Sequence, residues 1–564
     1  MLPTPGVKNT RKHNPKVRTG CKTCKVRRVK CDEKRPSCLR CTSTGRKCDG
    51  YAQPKQDYQT QVISQSRASR VQNAVPMLSG FGDNVHYLEF YHYCAGPTLS
   101  SADRFDTEFW SRISLQMAHS EPAVRHALIA LGYLNKQETG SLKHARLGFT
   151  NDCKTFWPHY NKAVRHLVER MAEPSYSPEI GLVTCVLFVC IEFLRADIQT
   201  AFTHLRSGLK IISELRQRHH TDSPRQLPGA IQNGSTAPMD MIEDKLMPMF
   251  IRGMASALMF GLKVEDDFAI LCPPPQSFQS RRFTSIREAQ SSYHELRNAT
   301  LIFARQMIIN IIVLHINPAT AEDVQRQNQF LECHRAWYRA LEALECSQTW
   351  SSEDKVAISS LKVSYYATYV FVACATDAGQ MSYDAHLDSF KALLHHAKIV
   401  LDSMHLGGLE AKPSSRAAAA NFTFEISLIP SLFMVATRCR CPTTRREAVS
   451  LLALNPPREG LWDAEQHVIV SNRAMEMEEM EVDERGWPTE NARLWSSVIE
   501  PNMDRTGGFW VHHCPAKWVG SVDETGRQRI IREYHVLEET LTDPLYGYVE
   551  PPRIAFSPNT APLH

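Results

Sequence analysis

The stretch Cys21-Lys-Thr-Cys24-Lys-Val-Arg27-Arg28-Val-Lys30-Cys31-Asp32-Glu33-Lys-Arg-Pro36-Ser-Cys38-Leu-Arg40-Cys41-Thr-Ser-Thr-Gly-Arg46-Lys47-Cys48 is an internal duplication. It reads C-x2-C-x6-C twice, with six residues between the copies. Two residues between cysteines turn both thiolates towards a common point, a usual spacing for one zinc ion. Two tetrahedral zincs need eight ligand positions, and six thiolates supply six, so two sulfurs must bridge both metals. The repeat symmetry makes the first cysteine of each half, Cys21 and Cys38, the bridging pair. With every position filled by sulfur, such zinc is structural rather than catalytic. Three disulfides, or one zinc on four cysteines with two spare thiols, are the other readings of the spacing.

Charge sharpens the picture around this stretch. Residues 1–50 carry 15 Lys and Arg against three acids, a formal +12, inside a 564-residue chain of formal net charge +5. The remainder is therefore a mildly acidic body of formal −7. A basic head of this kind suits a polyanion as partner. The full chain is 43% hydrophobic and 22% charged, which excludes a wholly disordered, collagenous or coiled-coil chain. No apolar segment follows the N-terminal charges, so no secretory signal is expected. The apolar stretches at 181–194 and 301–314 fall short of the ~20 residues that span a bilayer, and no membrane partner is expected. In a reducing compartment, metal binding outranks disulfides for the cluster. Scattered cysteines such as Cys185, Cys190 and Cys374 sit in apolar runs and read as small core residues.

The residues from Gly20 to Cys48 resemble the fungal zinc binuclear cluster DNA-binding domain. Between Cys24 and Cys31, Lys25-Val26-Arg27-Arg28-Val29-Lys30 has four cations in six residues and no helix breaker, so a short helix is expected there. The resemblance implies that this position enters the major groove of double-stranded DNA and reads CGG-type triplets. Arg27 and Arg28 are the base-reading candidates, arginine being suited to bidentate contact with guanine. Arg18, Lys22, Lys25, Lys30, Arg40, Arg46 and Lys47 are phosphate candidates, which set register rather than sequence. Pro36 matches the loop proline that joins the two halves in that family. A basic run also suits a nuclear localisation signal or a plain solvated surface. The implied cofactor is a pair of structural Zn²⁺ ions.

The expected organisation is a basic N-terminal arm at 1–20, the cluster at 21–48 and a flexible Gln/Ser-rich linker at 49–83. A helical domain at 84–480 and a less helical C-terminal appendix at 481–564 follow. Val62, Ile63, Val71, Val75 and Leu78 sustain no heptad, so no zipper is visible in the linker. Homodimer, heterodimer and monomer binding all remain open.

From about residue 84 the apolar residues recur at helical spacing. Ser120-Glu121-Pro122 opens one helix, and others are expected at about 150–172, 180–196, 285–315, 322–346, 353–376 and 385–404. Breaks are expected at 219–240 and at 273–275. The fold class is mainly α: a small zinc cluster, a flexible linker and a large all-α regulatory domain. Phe109-Trp110, Glu121 to Leu128, Arg445 to Ala448 and Arg458 to Asp463 resemble the fungal-specific regulatory domain that follows such clusters. Taken individually, Trp110 and Trp462 read as core anchors. In that family the domain is inhibitory or effector-responsive and has no catalytic activity.

No phosphate-binding glycine loop, nucleophile elbow or H-E-x-x-H sequence is present, so no catalytic residue is assigned and no enzyme is expected. His395-His396, His512-His513-Cys514 and Cys439-Arg-Cys441 lack partners at ligand spacing. Glu192, within an apolar run, reads as a paired structural carboxylate. The alternation Met475 to Glu484 reads as a solvated helix end, or as an activation segment for a coregulator. The functional expectation is a nuclear, sequence-specific regulator of RNA polymerase II genes, acting with the transcription machinery or coregulators on a metabolic or secondary-metabolite gene set. The alternative is a helical scaffold or corepressor whose cluster serves protein contacts.

Overall fold

The computed structural model describes residues 21–27, 29–34, 36–49, 84–99, 106–137, 142, 154–222, 241–259, 282–312, 319–404, 422–500, 503–504, 507–519, 521, 524 and 529–537. Arg18, Arg28, most of the 49–83 linker, the break at 273–275 and most of that at 219–240 lie outside them. The chain divides into two compact units, residues 1–79 and 80–564.

The first unit holds two short helices, α1 (Lys22–Val26) and α2 (Leu39–Thr42). The expected helix over 25–30 is displaced towards the N-terminus. Cys21 caps α1 by accepting from the Cys24 backbone N–H, so the helical turn is wound inside the C-x2-C element itself. The helix ends at Arg27, its C-cap.

In the second unit α3 (Val85–Phe90) and α4 (Ser114–Ser120) precede α5 (Pro122–Gln137), α6 (Phe156–Met171), α7 (Pro178–Leu194) and α8 (Ile198–Asp222), of which α5, α6 and α7 answer expected helices. They continue with α9 (Met247–Met259), α10 (Ile286–Ile312), α11 (Ala321–Glu345), α12 (Ser352–Ala373) and α13 (Leu387–Ser403). The series closes with α14 (Leu428–Arg438), α15 (Pro442–Leu452) and α16 (Ala464–Glu478). Helix α8 runs on to Asp222, a few residues into the expected break.

Apolar residues all round α7 bury it on every face, and it packs against α5 and α8. Trp110 is fully buried and Trp462 nearly so; both are core residues. Helix α12 is long and apolar enough to cross a bilayer by composition, but 72% of its apolar window is buried against other helices, as in a core helix. Thr320 opens α11 with a reciprocal capping box to Asp323, and Trp337 on that helix donates to the Ala289 carbonyl of α10 at 3.1 Å.

A two-residue parallel pair, β1 (Phe422–Thr423) with β2 (Arg458–Glu459), sits among the helices. Residues 458–463, singled out by the regulatory-domain resemblance, form a buried junction. Arg458 donates to the last carbonyl of α7, Leu194, at 2.9 Å. Glu459 accepts from the Ser427, Leu428 and Ile429 backbone N–H groups at the start of α14. The C-terminal region forms an antiparallel sheet of β3 (Leu494–Ile499), β4 (Gly508–Pro515) and β5 (Ile531–Val536). Phe509 and Val511 of β4 and Ile499 of β3 bury an apolar face with Val470 of α16, so the sheet and the helices form one compact unit.

Candidate metal centre and nucleic-acid interface

The duplication seen in the cysteine spacing is repeated by the backbone of the first unit. The Cys21 carbonyl accepts from Lys25 N–H at 3.0 Å, and seventeen residues on, the Cys38 carbonyl accepts from Thr42 N–H at 3.2 Å. The Cys24 carbonyl accepts from Val29 N–H at 3.1 Å, and the Cys41 carbonyl from Arg46 N–H at 3.0 Å. Cys21 N–H faces Cys31 Sγ at 3.4 Å, as Cys38 N–H faces Cys48 Sγ at 3.5 Å.

This geometry gathers the sulfurs into two groups of four. Cys21, Cys24, Cys31 and Cys38 form one; Cys21, Cys38, Cys41 and Cys48 form the other, each with its Sγ atoms within 4.8 Å of one another. The shared members are Cys21 and Cys38, whose sulfurs are 3.6 Å apart. Cys24 lies 3.7 Å from Cys38, and Cys41 lies 3.8 Å from Cys21. A further Cys24–Cys41 separation of 3.8 Å crosses between the groups. Zn–S bonds of about 2.3 Å around a tetrahedral ion place ligand sulfurs about 3.8 Å apart, so the donor set fits zinc. All described cysteines are free thiols, which sets aside the disulfide reading for the cluster. Desolvation pushes the Cys21 thiol up to about 12, and Cys24 and Cys38 in the same direction. A metal ion would supply the positive charge that thiolates packed this closely require.

Two polar clamps hold the halves together. Asp32 accepts from the Leu39 and Arg40 backbone N–H groups, both at 3.0 Å, and so caps α2 from the neighbouring loop. Those bonds, that from Arg40 foremost, hold its carboxyl below the usual range. Thr23 of α1 donates to Asp49 Oδ2 at 2.8 Å and accepts from the Asp49 N–H at 2.9 Å.

Lys22, Lys25, Lys30, Arg40, Arg46 and Lys47 are all exposed around this core, beside a Val26 side chain that is 84% exposed. Arg27 is half-buried, its guanidinium 3.4 Å from Thr44 Oγ1. Six thiolates and two divalent ions would leave the head a charge of about +10 for meeting phosphates.

Glu192, His396 and the first half of the Met475–Glu484 alternation resolve into packing, and His513 does not. Glu192 is fully buried and paired with Arg195. His396 stacks on Tyr366 at a 12° interplanar angle. Of the Met475–Glu484 alternation, Met475 and Glu478 are buried and Met480 is exposed, so its first half is an anchor rather than a solvated helix end. His513 is the exception: it gains partners from β5, Glu533 and His535, which no local spacing could reveal.

Residues 19–58 match the fungal Zn(2)-Cys(6) binuclear cluster domain, and residues 86–256 match the fungal specific transcription factor domain. The chain thus carries both domains of the fungal zinc-cluster transcription regulators, zinc binding being the property of the first, and the relatives it matches are regulators of transcription rather than enzymes. It is 23% identical over 548 residues to the aspercryptin biosynthesis cluster-specific transcription regulator atnN of Emericella nidulans, covering 80% of this chain and 85% of that one. It is also 29% identical over 219 residues to the transcription regulator lscL of Purpureocillium lilacinum, covering 36% of this chain and 51% of the relative. Over 51 residues it is 51% identical to the transcriptional regulatory protein moc3 of Schizosaccharomyces pombe, 9% of this chain and 10% of that one. No solved structure matches. The second match ends at 256, so residues 445–463 lie beyond it.

Proposed function

We propose that the chain is a nuclear, sequence-specific DNA-binding regulator of RNA polymerase II genes whose head binds two structural zinc ions. The six ligands are Cys21, Cys24, Cys31, Cys38, Cys41 and Cys48, with Cys21 and Cys38 bridging. The observation that carries this reading is the pair of four-sulfur groups that share those two cysteines and no others. Zinc there supplies cross-linking and charge compensation, and the residues around it do the recognition. Arg27 and Arg28 read a CGG-type triplet in the major groove. Arg18, Lys22, Lys25, Lys30, Arg40, Arg46 and Lys47 meet phosphates. Because a triplet is a small target, a second half-site or a partner protein completes specificity. The mildly acidic body is repelled by DNA and is left to coregulators. Similarity along most of the chain to a regulator of the aspercryptin biosynthesis cluster supports a secondary-metabolite gene set as target.

Selection of binding sites from random duplex DNA by the full chain tests the reading. CGG-containing sites should be enriched by the wild type and not by the Arg27→Ala/Arg28→Ala double variant, with zinc content unchanged. Selection of no sequence by the wild type would overturn the reading in favour of a scaffold role.

A further inference from the structure

We propose that the inner face of the C-terminal sheet is a second metal site, unlike the cysteine cluster in chemistry, where His513, Glu533 and His535 bind one divalent ion of the zinc class.

Register puts the three residues together. In the β4–β5 ladder Phe509 pairs with His535, Val511 with Glu533 and His513 with Ile531. Paired residues share a face and alternate residues return to it, so His513, Glu533 and His535 all lie on one side of the sheet. That side is the buried one: His513 is completely enclosed and Glu533 is 5% exposed. His512, on the opposite face, pairs instead with Glu500 at 2.6 Å.

The donor atoms converge without satisfying one another. His513 Nε2 is 3.8 Å from Glu533 Oε2, and His535 Nε2 is 3.6 Å from the same oxygen. Among the described residues neither Nε2 has a hydrogen-bond partner, and all three ligand atoms lie within 4.8 Å of one another. Such separations are too long for hydrogen bonds but near the ~3.4 Å edge set by bonds of about 2.0–2.1 Å around tetrahedral zinc. An ion between them would satisfy both orphaned nitrogens, and buried polar atoms left unpaired are otherwise costly.

Outer partners orient the ligands as metal sites require. His513 Nδ1 lies 2.9 Å from Oγ of Ser497, its ladder partner on β3. With the Nδ1 proton donated there, the Nε2 lone pair faces inward. Arg473 of α16 grips Glu533 through two bonds of 2.8 Å, from Nε to Oε2 and from Nη2 to Oε1. A carboxylate oxygen has a second lone pair, so Oε2 can accept from Arg473 and still ligate. The Arg473 charge opposes a cation, and Glu476, 3.0 Å from its Nη1, offsets part of that charge. Two neutral imidazoles and one carboxylate suit Zn²⁺ and its neighbours rather than Ca²⁺ or Mg²⁺, and a fourth position stays open to water. A bound ion would cross-link β4 to β5 and, through Arg473, tie both to α16.

The test is the zinc content of the purified full chain, compared between wild type and His535→Ala. His535 is only partly enclosed, its side chain 14% exposed, so this variant spares the core. The loss of one zinc per chain is expected, with the cluster ions retained; the difference reads this site alone, whatever the head holds. Equal zinc content in the two chains overturns the proposal. A chain with all six cluster cysteines replaced by alanine gives an independent reading with Co²⁺. It should bind one ion without thiolate charge-transfer absorption, and failure to bind one would also overturn the site.

Discussion

Arg445 and Glu478 form an ion pair from which solvent is wholly excluded, with Nη2 2.7 Å from Oε2 and neither side chain exposed. The same carboxylate lies 3.2 Å from Arg440 and accepts from the Leu494 backbone N–H at 2.8 Å. One side chain on α16 thereby joins α15, the α14–α15 turn and β3. Removing it would leave two guanidinium groups buried without a counter-charge. Glu478→Ala is expected to cost about 3–5 kcal/mol, the range for breaking a buried pair from one side. Chemical denaturation of the full chain would measure the loss.

The shared pair of sulfurs predicts an asymmetry among the cluster ligands. Cys38 belongs to both four-sulfur groups and Cys31 to one. Cys38→Ser should release two zinc ions per chain, whereas Cys31→Ser should release one and leave the second group complete. Metal analysis of the two variants beside the wild type decides the point; equal losses would remove Cys38 from its bridging role.

The exposed lysines should act differently from the arginines. Lys22 and Lys25 are open to solvent on α1, and their replacement by alanine should not disturb the fold. Each change should weaken binding alike on all sequences and reduce the slope of log K against log salt by about 1. DNA titrations at several salt concentrations would show a lost sequence preference instead if either lysine read bases.

His334 supplies a pH dependence of definite sign. It is fully buried on α11, and desolvation depresses its imidazole to about 3. Thr300 Oγ1 donates to the Leu296 carbonyl at 2.7 Å, so His334 Nε2, 3.0 Å away, must be the donor to that hydroxyl. The folded chain therefore holds His334 neutral and binds fewer protons than the unfolded chain. Its contribution to stability is intact above about pH 6.5 and is lost as pH falls from there towards 3. His334→Gln should flatten the acid limb of a plot of thermal midpoint against pH. An unchanged limb would count against this titration.

Gly132 of α5 lies against the backbone of α3 at Tyr87. A Cβ there would meet the Tyr87 carbonyl oxygen at 2.4 Å, a backbone atom that cannot rotate aside. Gly132→Ala should therefore destabilise the helical unit by ~1–3 kcal/mol, the usual penalty for overpacking. A thermal midpoint within error of the wild type would show that the two helices can part without cost.

Much of this protein was legible locally. Helical periodicity placed α10 to α13 nearly to their ends, because burying one stripe or every face of a helix leaves a pattern in consecutive residues. The helix in the head was displaced because the capping group was Cys21, a ligand rather than a usual capping residue. Glu478 looked like part of an acidic, solvated helix end; only its two arginine partners, 33 and 38 residues away, make it an interior anchor.

Sequence alone pointed to a metal-binding head, since six cysteines within 28 residues carry a chelating spacing. It also determined the mainly helical class and the contrast between a basic head and an acidic body. Tertiary structure alone decided that β3, β4 and β5 form a sheet packed on α16, and that His513 meets Glu533 and His535. The physical reason is the range of the constraint. A chelating turn is closed by the few bonds between its ligands, whereas a site shared by two strands exists only in the register that the buried face of the sheet selects.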